Sequence, residues 1–87
     1  MLIINFWGFF MAKIQHPSFS LMAEKWPAPV VARDQVDRFT GGIISPRYLA
    51  NLDSQGKGPK GRFRIGRKVA YPVQMFITWL ESRATEI

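Results

Sequence analysis

The sequence predicts a small, mainly helical α+β domain, and three observations carry that reading. Ser45-Pro46 is the sharpest helix start in the chain: a serine cap followed by a proline that loses nothing at the first helical position. Lys57 to Lys68, read as KGPKGRFRIGRK, holds six cations and no acid, is punctuated by glycines, and is followed by Val69 and Tyr71 at strand spacing. This is the pattern of a basic β-hairpin. Val73, Phe76, Ile77 and Leu80 then recur at i, i+3, i+4 and i+7, the stripe of a core-facing helix.

The chain's bulk properties narrow its function. Eighty-seven residues make one small domain. A chain of this size buries only ~60–65% of its unfolded surface, which leaves no room for a deep substrate cleft with a supporting shell. There is no cysteine, so disulfides and thiolate metal sites are excluded and packing must supply the stability. The formal charge is +6, and the Lys57–Lys68 run carries most of it. A basic cluster of that kind is the electrostatic footprint of a nucleic acid or an anionic surface.

Residues 1–29 read as an extension. MLIINFWGFFMA is almost wholly apolar but stops at Lys13, short of the ~20 residues of a membrane span. No cation precedes it and no small-residue cleavage site follows it, so it lacks the marks of a secretory signal. Stable membrane insertion is not expected; a weak surface anchor is the other reading. The preferred reading is an upstream extension, with Met11 or Met22 as the working start, and a chain beginning at Met22 is expected to keep fold and binding. His16, before Pro17, reads as an exposed loop residue. Pro27 and Pro29 favour extended backbone, and Val30-Val31 reads as a short strand or a hydrophobic staple.

The domain proper occupies residues 30–87. Arg33 to Phe39 is its first helix, with Val36 and Phe39 one turn apart and Asp34 in the first turn, where a negative charge suits the dipole. Gly41-Gly42 ends it. The second helix runs from Ser45-Pro46 through Asp53, with Leu49 and Leu52 inward and Arg47, Tyr48, Ala50 and Asn51 facing elsewhere. Gly56, Gly58 and Pro59 close it. For the hairpin, a three-residue loop Gly66-Arg67-Lys68 would set Ile65 opposite Val69 and Phe63 opposite Tyr71. All four apolar side chains then share one face, with Arg62 and Arg64 on the other. A two-residue Gly66-Arg67 turn ranks second, because it would scatter the apolar set. Tyr71-Pro72 opens the last helix. Met75 and Trp79 add a second stripe to it, which the extension or a second copy could cover.

Two short helices about a glycine-bearing turn form the helix-turn-helix pattern. With a basic hairpin and a closing helix, the order is that of a small winged helix-turn-helix. From Val30 to Arg83 the chain resembles the excisionase and AlpA-like regulators, which share their fold with the DNA-binding domain of MerR-type proteins. The residues that carry the resemblance are Ser45-Pro46-Arg47 with Leu49, Gly56, Pro59, the run from Arg64 through Pro72, and Trp79-Leu80-Glu81. The resemblance implies a second helix in the major groove, through Ser45, Arg47, Tyr48 and Asn51. It implies a wing on the backbone or minor groove, through Lys60, Arg62, Arg64, Arg67 and Lys68. The chain departs from the family at the longer turn Thr40–Ile44, at Leu52 where an aromatic is frequent, and at Asp53, an acid beside the expected DNA face.

Chemistry agrees with this division. Arginine offers two hydrogen bonds to a guanine edge and asparagine offers two to adenine. Arg47 and Asn51 are four apart and share a helical face. Catalysis is not expected: the sole histidine lies in the extension, no carboxylates pair in a cleft, and no nucleophile has a base near it. Gly56–Gly61 lacks the spacing of a phosphate loop and follows a helix instead of a strand. No metal or cofactor is expected. The leading function is sequence-specific double-stranded DNA binding by a cytoplasmic, nucleoid-associated phage or mobile-element protein. Its expected partners are a recombinase, an integrase or RNA polymerase, and it would act as a homodimer or a cooperative array on DNA. The alternatives are a protein-interaction module, for packaging or toxin neutralisation, and an RNA-binding accessory protein.

Overall fold

The computed structural model describes residues 16–85 and 87. The apolar run 1–12 and the candidate start Met11 lie outside the described residues. The elements, in order, are helix α1 (Pro17–Lys25), strand β1 (Val30–Ala32), a 3-10 turn (Arg33–Gln35) running into helix α2 (Val36–Phe39), helix α3 (Pro46–Ser54), strands β2 (Phe63–Ile65) and β3 (Lys68–Pro72), and helix α4 (Val73–Arg83). The result is a small α+β domain, mainly helical, with one antiparallel sheet. Among the described residues no helix is long and apolar enough to cross a membrane.

Local chemistry sets the helix ends. The Ser45 hydroxyl accepts the Tyr48 N–H at 3.1 Å, with Pro46 at the first helical position, as a serine-proline start requires. The same device opens α1: His16 accepts the Ser18 N–H at 3.2 Å through Nδ1, ahead of Pro17, and stays exposed. Gly41 and Gly42 follow α2 with φ of 68° and 92°, the left-handed region that ends a helix cheaply only at glycine. The long turn that follows is stitched by buried Thr40. Its hydroxyl donates to the Val36 carbonyl at 2.8 Å and accepts the Ile44 N–H at 3.0 Å.

The sheet departs from expectation in two ways. Val30-Val31 takes the strand reading over the staple, and it pairs with the far side of β3, Val31 opposite Tyr71, so the sheet has three strands in the order β1-β3-β2 and is not a lone hairpin. The hairpin also takes the two-residue turn. Ile65 pairs with Lys68, Arg64 with Val69 and Phe63 with Ala70. Gly66 has φ 61° and Arg67 does not have positive φ, the type II′ pattern with glycine at the first central position. A shift of one residue turns every side chain of β2 to the other face. Arg64 therefore shares a face with Val69 and Tyr71, and Phe63 and Ile65 are exposed on the outer face. Burying Tyr71 against β1 fixes β3, and the glycine turn then fixes β2.

The core lies between this sheet and the helices. Val31, Val36, Leu49, Tyr71 and Phe76 are fully buried. Phe76 is its centre, edge-to-face with Phe39, Tyr71 and Trp79 at centroid distances of 5.5, 5.4 and 5.6 Å. Such pairs contribute ~0.5–1.5 kcal/mol each beyond area burial. Pro72 ends β3 and caps α4 instead of forming its first residue; the Val73 N–H donates to the Pro29 carbonyl at 2.9 Å. Of the second stripe of α4, Trp79 is buried and donates through Nε1 to the Lys57 carbonyl at 2.9 Å, whereas Met75 is exposed. Helix α1 packs on α4, and Phe19, Met22, Ala23 and Trp26 lie against the core. Trp26 stacks edge-on to Phe39 at 5.3 Å and donates to the Val30 carbonyl at 2.9 Å.

Candidate nucleic-acid interface

Helix α3 turns Leu49, Leu52 and Asp53 inward. At 100° per residue, Arg47 and Asn51 then fall on the side opposite the core, and both are exposed. Tyr48 lies a quarter-turn away, toward α4, where its hydroxyl accepts a hydrogen bond from Arg83 at 3.3 Å. Ser45 is exposed, but its hydroxyl is engaged in the cap. Of the four α3 residues expected to act together, Arg47 and Asn51 thus share the outer ridge, Tyr48 joins the α4 side, and Ser45 shapes the helix.

The hairpin lies beside α3. Pro46, Ala50, Asp53 and Ser54 recur on one side of the helix and face two clefts whose other walls belong to the hairpin. The first, of about 340 Å³, is bounded by Pro46, Arg33 and Asp34 and by Arg67, Lys68 and Val69. The second, of about 380 Å³, is bounded by Ala50, Asp53, Ser54 and Arg33 and by Arg62, Phe63, Arg64 and Val69. The serine-capped helix and the arginine-rich ribbon therefore sit on one side of the molecule. Lys60, Arg62, Arg64, Arg67 and Lys68 are all exposed. Two of the five have a carboxylate partner: Lys68 pairs with Asp34, and Arg62 approaches Asp53 at 3.8 Å. Among the described residues Arg47, Lys60, Arg64 and Arg67 have no acid within ion-pair distance.

Asp53 does not face outward as its position in a polar helix suggested. It is 5% exposed, and its Oδ2 accepts from Arg33 at 2.6 Å and from the Tyr71 hydroxyl. Arg33 also donates through Nε to the Tyr71 oxygen at 3.0 Å, closing a three-member ring of contacts. One carboxylate thereby joins α3, β3 and the 3-10 turn, and the acid expected to repel phosphate is removed from the surface. Its Oδ1 is buried and has no hydrogen-bond partner among the described residues; an Arg62 nitrogen stands 3.8 Å from it. Gly58 makes room for it: a Cβ there would stand 1.8 Å from that oxygen. Burial alone would depress the Arg33 pKa, but hydrogen bonds to Tyr71 and Asp53 outweigh it and the value is raised. Burial first, and then the bond to the Asp53 carboxylate, push the Tyr71 phenol up from 10.0 to about 12.

Arg33 and Asp53 are the members of this side that sequence reasoning missed. A signal existed for Asp53, which is four residues after Leu49 and one after Leu52 and so falls on the inward stripe. Arg33 carried no comparable local signal. No protein-family model matches the chain, and comparison with curated proteins finds no significant relative.

Proposed function

We propose that the chain is a winged helix-turn-helix protein of the excisionase and AlpA-like kind. It binds double-stranded DNA with α3 in the major groove and the hairpin as a wing on phosphates. The observation that supports this reading is adjacency: α3, through Pro46, Ala50, Asp53 and Ser54, and the cationic hairpin wall the same two clefts, and Arg47 and Asn51 stand exposed on the outer side of that helix. Arg47, Arg64 and Arg67, exposed and without an acid partner among the described residues, suit a duplex better than a small-molecule site. On this reading the protein is a non-catalytic cytoplasmic regulator or recombination accessory factor. It acts beside a recombinase or RNA polymerase, as a homodimer or a cooperative array.

A fluorescence titration with duplex DNA at two salt concentrations tests it. With about four phosphate contacts, the slope of ~−0.9 per contact gives roughly 150-fold weaker binding on going from 50 to 200 mM salt. Arg64→Ala should weaken all sequences equally and flatten the slope by about one contact, while Arg47→Ala should relax preference at one base pair by ~1–3 kcal/mol. Affinity indifferent to salt would reject DNA binding. It would favour a protein-interaction role, for which the exposed Phe63 and Ile65 on the outer sheet face supply the contact surface. Uniform losses in both variants would reject the assignment of α3.

A further inference from the structure

We propose that the cleft between the C-terminal half of α3 and the base of the hairpin seats one backbone phosphate of the bound duplex, with Arg33 as a fixed cation beneath Arg62 and Arg64. The proposal rests on the DNA-binding reading and adds to it a specific seat and a residue outside the hairpin.

The argument begins with charge. Three guanidiniums, Arg33, Arg62 and Arg64, border this cleft, and Asp53 is the acid among its lining residues. Arginine stays charged at any working pH, so an excess of two positive charges remains there. The carboxylate is buried and committed through Oδ2 to Arg33 and Tyr71, so it orients the cations without filling the cleft. Arg33 uses Nε and one terminal nitrogen in that ring, which leaves the rest of its five N–H donors unpaired among the described residues. Its side chain is 27% exposed.

Arg62 is held more loosely. Its separation of 3.8 Å from Asp53 Oδ1 is an ion pair but not a hydrogen bond, and its side chain is 46% exposed. It can turn onto an entering anion without breaking a formed bond. Among the described residues Arg64 has no acid partner, and it faces the cleft from β2 because the two-residue turn put it on the Val69 side. Phosphate is the anion this arrangement suits, since planar guanidiniums bind its oxygens in pairs. The cleft, of about 380 Å³ and open to solvent, is large enough to admit a phosphodiester group.

Two measurements on the full chain test the seat. In an NMR titration with inorganic phosphate, matched in ionic strength with chloride, the amides of Ser54, Arg62 and Arg64 should shift saturably. The response should vanish in Arg62→Ala and in Arg64→Ala and return in part in Arg62→Lys. In the second, a bound duplex is neutralised one phosphate at a time with methylphosphonates. One position should cost the wild type roughly tenfold in affinity, as loss of a charged hydrogen bond does. That position should cost Arg62→Ala less than about twofold, since the partner is already gone. Duplex binding without such a position, or phosphate shifts unchanged in both alanine variants, overturns the seat alone. A chain that binds phosphate in the cleft but no duplex overturns its assignment to DNA, together with the function proposed above.

Discussion

Replacing Asp53 with alanine should cost this domain a large share of its stability. The substitution leaves the Tyr71 hydroxyl buried without its acceptor and Arg33 without its counter-charge. Orphaning a buried hydroxyl costs ~1–3 kcal/mol, and breaking a buried ion pair costs ~3–5 kcal/mol. Two features of the site reduce the sum. Arg33 is partly exposed and can rehydrate, and the variant is relieved of the buried, unpartnered Oδ1. A net loss of ~2–3 kcal/mol is therefore expected, out of ~5–10 for a small domain. At ~4–8 °C per kcal/mol, the midpoint of thermal unfolding should fall by about 10–20 °C. Circular dichroism at neutral pH reads this directly. A double-mutant cycle with Tyr71→Phe isolates the contact and should show ~0.5–2 kcal/mol of coupling. A midpoint within about 4 °C of wild type would refute the claim that this carboxylate joins three elements, as would simple additivity in the cycle.

Other outcomes follow from the same geometry. Gly58→Ala should destabilise by ~1–3 kcal/mol, because its methyl would overlap the Asp53 carboxylate. In an Asp53→Ala background most of that loss should disappear, and chemical denaturation of the four variants reads the difference. The Tyr71 phenol is raised from 10.0 to about 12, so the folded state holds its proton more tightly than the unfolded chain. The stability this gives is whole below pH ~10 and lost as pH rises toward about 12; alkaline denaturation midpoints should fall across that window and be less sensitive in Tyr71→Phe. Phe19→Ala should cost ~1–2 kcal/mol, less than a fully buried phenylalanine, because α1 covers the core from one side. A chain starting at Met22 should show a comparable drop in thermal midpoint while still folding; an unchanged midpoint would make α1 dispensable.

Local signals announced α3 and α4, whereas α1 lay within what read as an extension and the sheet depended on non-local pairing. Ser45-Pro46 announced α3 because a cap and a proline act within four residues. The stripe from Val73 to Leu80 announced α4 because burial repeats along one element. The hairpin was legible as a hairpin, but its register was not. Pattern alone favours gathering Phe63, Ile65, Val69 and Tyr71 on one face, whereas the turn at Gly66 decides for the alternative and leaves Phe63 and Ile65 outside. The pairing of Val31 with Tyr71 leaves no mark in either segment, and neither does the union of Arg33, Asp53 and Tyr71. At the candidate interface, Arg47, Asn51 and the ribbon arginines could be named from residue chemistry. The inward turn of Asp53 and the recruitment of Arg33 depended on contacts between distant parts of the chain.

The antiparallel match of β1 with β3 also governs how the protein is made. Val31 leaves the ribosome forty residues ahead of Tyr71, the residue it pairs with. Until then the nascent chain lacks the partner strand that covers Val31, and α2 and α3 lack the aromatic floor supplied by Tyr71 and Phe76. The core therefore closes only once β3 and α4 have followed β1 out of the ribosome.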